Sequence, residues 1–118
     1  RDYVEAMWKI LQQKKPDDYV IATGKQHSIK QFINLVAKKL NMKIVWKGKG
    51  LNEIGYDILN KRNIILVDKN YIRPLDVNTL LGNAAKARRE LKWKPQINIH
   101  NLIDEMITEE LHILSNDQ

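Results

Sequence analysis

The chain contains no cysteine, so neither a disulfide nor a thiolate-held metal can brace it. Such a chain suits a reducing compartment, and the expectation is a cytoplasmic protein. Long hydrophobic runs are missing as well. Runs such as Ile64-Ile65-Leu66-Val67 fall far short of the roughly 20 apolar residues that cross a bilayer, so no membrane partner is expected. His27, His100 and His112 lack metal-ligand spacing with one another and read as surface or helix-face residues, so no metal is expected. No GxGxxG, Walker loop or nucleophile elbow occurs. Gly48-Lys49-Gly50 reads first as a flexible turn. Ser28 follows His27 with no acid placed to complete a triad, and helix capping accounts for it.

What is present describes an ordinary globular chain. It has 118 residues, 43% hydrophobic and 29% charged, enough for one modest core. The net charge of +6 invites a nucleic-acid reading. The basic residues are nevertheless spread out, as Lys14-Lys15, Lys38-Lys39, Lys47, Lys49, Lys61-Arg62 and Arg88-Arg89. No aromatic RNA-binding motif or zinc knuckle accompanies them. Solvated lysines are the better reading, and no nucleic-acid partner is expected. A basic surface would also suit an anionic diphosphate.

Periodicity supplies the elements. Val4, Met7, Trp8 and Leu11 repeat as on an amphipathic helix over residues 2–13. Tyr19 to Thr23, closed by Gly24, reads as a buried strand. Ser28 caps a helix to about Leu40 with Ile29, Phe32, Ile33, Val36 and Leu40 on one face, and Asn41 closes it. Lys43 to Trp46 reads as a second strand. Lys47 to Arg62, with Gly48, Gly50 and Gly55, reads as a long mobile loop. Asn63 to Asp68 is a third strand. Asn83 caps a helix over residues 84–91 that Pro95 keeps from continuing. A last helix spans about 99–114. The fold class is α/β, with about three short strands and four helices. That is too few strands for a self-contained doubly wound sheet, so a small lobe beside a larger domain is expected. The start at Arg1-Asp2-Tyr3-Val4, without an initiator methionine, carries the same expectation of a portion of a longer protein.

The densest signal is Tyr71-Ile72-Arg73-Pro74-Leu75-Asp76-Val77, followed by Leu81-Gly82-Asn83, Lys86 and Leu91-Lys92-Trp93-Lys94-Pro95. Arginine suits bidentate capture of a phosphate, and a carboxylate three residues on can accept from sugar hydroxyls. Arg73 and Asp76 are therefore the candidate substrate-binding pair. Spacing alone leaves this level with a local ion pair that steadies the turn. Trp93 reads as a core anchor.

At these residues the chain resembles the C-terminal part of the GDP-mannose 4,6-dehydratase family of extended short-chain dehydrogenase/reductases. Arg1 to Trp8 with Leu11-Gln12-Gln13 is similar to RDYVEAMW…LQQ, and Pro16 to Gly24 to PDDYVIATG. Tyr71 to Val77 is similar to YFRPTEV, Leu80 to Asn83 to LLGD, and Leu91 to Pro95 to LGWKP. Asp76 stands where the family has glutamate, Leu75 where it has threonine, Asn78 and Asn83 where it has aspartates, and Lys92 where it has glycine. The resemblance implies that residues 1–118 are the substrate-binding lobe of an NADP-dependent lyase whose N-terminal Rossmann domain lies outside this chain. That domain would hold NADP and the catalytic Thr, Glu, Tyr and Lys. It would turn GDP-mannose into GDP-4-keto-6-deoxymannose, the precursor of GDP-fucose and related deoxysugars. The resemblance assigns Arg73 to the diphosphate and Asp76 to the ribose, with no catalytic residue in the chain. It puts the 47–62 loop near the nucleotide or a subunit contact. The expected partners are GDP-mannose, the chain's own N-terminal domain, and further copies as a dimer or tetramer; the chain alone is expected to be inactive. The substrate lobe of a related nucleotide-sugar epimerase or dehydratase is the alternative, and a basic nucleic-acid module a remote one.

Overall fold

The computed structural model describes residues 1–73, 77 and 79–116. It carries helices α1 (Asp2–Leu11), α2 (Ile29–Lys39), α3 (Ala85–Glu90) and α4 (Ile99–Asn116), and strands β1 (Ile44–Lys47), β2 (Ile54–Asp57) and β3 (Arg62–Leu66). Two 3₁₀ turns lie at Gly50–Asn52 and Lys69–Tyr71. The chain forms two compact units, Arg1–Gln26 with Asn78–Leu102, and His27–Val77 with Ile103–Gln118.

In the first unit, Trp93 is fully buried among Ala6, Ala84, Ala87 and Leu91, with Ile10, Tyr19, Ile21 and Ala22 packed around them. The small side chains on α1 and α3 let a large indole sit between backbones. Its Nε1 donates to the Asp2 carbonyl at 2.9 Å, which settles the one polar atom a buried tryptophan brings with it. The Asp2 carboxylate accepts from the Gln96 and Ile97 N–H groups at 2.8 and 2.9 Å. Residues more than ninety positions apart are thereby clipped together.

Two expectations fail here. The apolar stripe of α1 is not the face that packs: Val4, Met7, Trp8 and Leu11 are 60–80% exposed, while Ala6 and the half-buried Ile10 meet the core. The helix is apolar on two sides, and periodicity alone selected the wider one. Tyr19 to Thr23 joins no ladder among the described residues. Its side chains Tyr19, Ile21 and Ala22 are held by core packing instead. Gly82 runs tight against it, where a Cβ would stand 2.6 Å from that of Ala22.

The second unit opens on a capping box. Ser28 Oγ accepts from the Gln31 N–H at 3.1 Å, and Gln31 Oε1 accepts from the Ser28 N–H at 2.9 Å, so two orphan donors are satisfied reciprocally. Asn41, left-handed at φ 54°, ends α2 with the Met42 N–H on the Ala37 carbonyl at 2.8 Å, as a Schellman turn requires. Phe32 and Val36 of α2, with Leu40 just after it, face Ile103, Met106, Ile107, Leu111 and Leu114 of α4 across an apolar groove of about 310 Å³. A Lys39–Asp104 ion pair at 2.6 Å spans the same two helices.

The sheet is an antiparallel meander in the order β1-β2-β3. Its central strand lies inside the stretch expected to be a mobile loop. Two residues disguised it, Gly55 and Asp57. A Cβ on Gly55 would stand 2.9 Å from that of Ile65, so this crossing admits only glycine without a shift. Asp57 is fully buried and accepts from the Lys43 and Leu59 N–H groups at 3.3 and 3.1 Å and from Asn60 Nδ2 at 2.5 Å. Trp46 Nε1 donates to Asn34 Oδ1 at 3.0 Å, which ties β1 to α2.

Two predictions follow from this packing. Lys92 is left-handed at φ 50° just after α3. Relief of roughly 1–2 kcal/mol of αL strain, less about 0.4–1 kcal/mol from a looser unfolded chain, makes Lys92→Gly stabilising by about 0.5–1 kcal/mol in a urea titration. The donors around Asp57, the Asn60 side chain first, hold its carboxyl below the ordinary carboxylate value of 3.8. The stability this adds is complete above that ordinary value and is lost as pH falls through it toward the lowered folded value. Acid titration of the wild type therefore loses stability more steeply below about pH 5 than Asp57→Asn, which starts lower at neutral pH.

Candidate functional site

The segment leading to Arg73 is built by β3 and the short turn after it. β3 is registered on β2 by the Ile54–Leu66 and Gly55–Ile65 pairs, which fixes where the chain leaves the sheet. Asp68, extended at φ −97° and ψ 121°, then caps the Lys69–Tyr71 turn, its Oδ1 accepting from the Asn70 N–H at 2.9 Å. The Tyr71 N–H reaches the Asp68 carbonyl at 3.2 Å, and the Ile72 N–H the Lys69 carbonyl at 3.3 Å. Ile72 is extended again, and Arg73 follows with its side chain exposed. An exposed guanidinium on a long stem has the shape to meet a dianion through two parallel hydrogen bonds.

Asp76, the other member of the predicted pair, lies outside the described residues, as do Pro74 and Leu75. Sequence reasoning passed over Tyr71, which is 83% exposed two residues before Arg73. Its ring is a large apolar surface on the turn that leads to Arg73. The available signal was an aromatic in a polar turn that no periodic face claimed.

Other basic side chains are engaged in holding the chain together. Lys86 Nζ sits 2.6 Å from Asp17 Oδ1, donates to the Asp18 carbonyl at 3.0 Å, and lies 4.8 Å from the centre of the Tyr19 ring. The hydrogen bond to Asp17 raises the Lys86 pKa and lowers that of Asp17. Desolvation, then the nearby Glu90 carboxylate, raises that of Tyr19. Arg88 donates to the Thr23 carbonyl at 3.3 Å. These bonds fasten residues 17–23 to α3, so Lys86, part of the densest sequence signal, serves the fold. Lys9, Lys30 and Arg89 are ion-paired with Glu5, Glu53 and Glu90. Lys47 lies over the Tyr56 ring at 4.1 Å.

The remaining candidates have local structural partners. Ser28 is the α2 cap. The His100 N–H is held by Asn98 Oδ1 at 2.9 Å, and the His112 ring lies 3.2 Å from Asn116 Nδ2. Among the described residues no group of three or more His, Cys, Asp or Glu could hold a metal ion. No described helix is long and apolar enough to cross a membrane. The glycines do not form a dinucleotide cradle: Gly24, Gly48 and Gly50 have positive φ, but none belongs to a spaced triplet leading from a strand into a helix. These residues do not fit NADP.

Comparison with known proteins converges on one family. The profile described as GDP-mannose 4,6 dehydratase matches residues 1–106. The chain is 44% identical to GDP-mannose 4,6 dehydratase 2 of Caenorhabditis elegans over 99% of its own length, and 43% identical to the Drosophila melanogaster GDP-mannose 4,6 dehydratase over 96%. Against the human GDP-mannose 4,6 dehydratase the identity is 39% over 97%. It spans only 29–31% of the length of these relatives. An exposed arginine after a capped turn, a glycine pressed on Ala22 and a clipped tryptophan thus sit in a sequence matched nearly end to end, and the chain belongs to the GDP-mannose 4,6-dehydratase family.

Proposed function

We propose that this chain is the substrate-binding lobe of a cytoplasmic GDP-mannose 4,6-dehydratase, a lyase that converts GDP-mannose to GDP-4-keto-6-deoxymannose. The observation that carries the reading is Arg73. It is exposed on a capped turn, in a stretch that falls within the family match, and its chemistry is that of a diphosphate clamp. Arg73 binds the diphosphate, and Asp76 accepts from the guanosine ribose. NADP, which would act as the hydride carrier, belongs to an N-terminal Rossmann domain of the full protein together with the catalytic Thr, Glu, Tyr and Lys. The part of the protein represented here grips and orients the sugar nucleotide and supplies no reacting group.

The exposed stripe of α1 supports the two-domain organisation. Tyr3, Val4, Met7, Trp8 and Leu11 are exposed, apolar side chains of the kind that a neighbouring domain of the same polypeptide covers. The full protein assembles as a dimer or tetramer.

Arg73→Ala in the full-length protein tests the assignment by calorimetry. GDP-mannose affinity should fall by about 10- to 100-fold, the equivalent of one charge-assisted bond of roughly 1.5–3 kcal/mol, with NADP affinity unchanged. Unchanged GDP-mannose affinity would remove Arg73 from the site. Preference of the wild type for another nucleoside diphosphate sugar would move the protein to a sibling activity.

A further inference from the structure

The turn that carries Arg73 is held by three hydrogen bonds of unequal quality. The two backbone bonds, Tyr71 N–H to Asp68 and Ile72 N–H to Lys69, measure 3.2 and 3.3 Å, at or beyond the long end for N–H···O. The bond from the Asn70 N–H to the Asp68 carboxylate is 2.9 Å and is strengthened by its charged acceptor. A three-residue 3₁₀ turn has poor internal geometry and no cooperative length behind it. The cap is therefore what selects this turn from the other conformations open to an exposed segment. We infer that Asp68 is a positioning residue for sugar-nucleotide binding, fixing the direction in which the chain presents Arg73. The inference rests on the reading of Arg73 as the diphosphate clamp.

The Asp68 residue is exposed and sits two residues beyond the end of β3, so removing its carboxylate leaves the ladder and both cores untouched. What changes is the fraction of molecules whose 69–73 backbone is already in the binding form, and apparent affinity scales with that fraction. Asparagine keeps an acceptor oxygen in the same place and should preserve the cap. Loss of negative charge alone would have the opposite sign: removing an anion near a diphosphate site tightens binding.

The experiment is a double-mutant cycle on the full-length protein, with GDP-mannose and NADP as calorimetric probes and thermal melting alongside. Asp68→Ala should weaken GDP-mannose about fivefold, the usual worth of a cap, with NADP affinity and melting temperature unchanged. Asp68→Asn, which keeps the cap and loses the charge, should bind at least as tightly as wild type. Asp68→Ala combined with Arg73→Ala should bind no more weakly than Arg73→Ala alone, because a residue acting through Arg73 has nothing left to position. Wild-type affinity in Asp68→Ala, multiplied losses in the double variant, or no recovery with asparagine would each overturn the inference while leaving Arg73 in its role. A silent Arg73→Ala would instead overturn the reading beneath it, and the positioning role with it.

Discussion

The bond from the Trp93 indole to the Asp2 carbonyl, with the Asp2 carboxylate gripping the backbone of Gln96 and Ile97, is what the first unit depends on. A buried indole needs an acceptor, and the first turn of α1 provides one. The same residue turns the chain toward α4. Without the indole, α1 and α3 would meet through Ala6, Ala84, Ala87, Leu91 and the half-buried Ile10, a small apolar area on which to hold two short helices. Among the described residues the second unit shows no such single pin. It relies on distributed ties, among them the α2 capping box, the Trp46–Asn34 bond and the ring of donors around Asp57.

Much of this could be read in the residues themselves. Ser28 with Gln31, Asn41 after Leu40, and Pro95 beyond α3 mark helix ends by local chemistry, and the structure places those ends within a residue or so. Trp93 as a core anchor was equally legible, since no other role suits a lone tryptophan between a helix end and a proline. What failed was everything decided at a distance. Whether Tyr19 to Thr23 joins a ladder depends on which backbone lies beside it, and Gly82 and core side chains do. β2 was hidden because its glycine and aspartate are poor strand formers. They are present for a close crossing and for a buried set of backbone donors. Those needs exist only once β1 and β3 are in place.

The candidate site divides along the same line. Arg73 could be proposed from the residues because phosphate recognition favours one side chain so strongly, and resemblance to a family gave the turn a meaning. The role proposed for Asp68 was not legible, because aspartate after a strand is common and its bond to Asn70 appears only in the folded turn. Lys86 was drawn into the signal by sequence proximity, yet its ammonium closes a triangle with Asp17, Asp18 and Tyr19.

The two-sided helix α1 has a further consequence for how sequence change is tolerated. Its core-facing residues Ala6 and Ile10 answer to the tryptophan beneath them, and its outer residues Met7, Trp8 and Leu11 carry apolar surface that is open in this chain. If the proposed neighbouring domain covers the outer face, such a helix is constrained from both sides and has few neutral positions. Substitutions on its two faces should also fail differently, one by loosening this lobe and the other by altering how the surface is covered while the lobe stays folded. Drift in such a helix is limited by two separate requirements acting on adjacent residues, and a change that relieves one does nothing for the other.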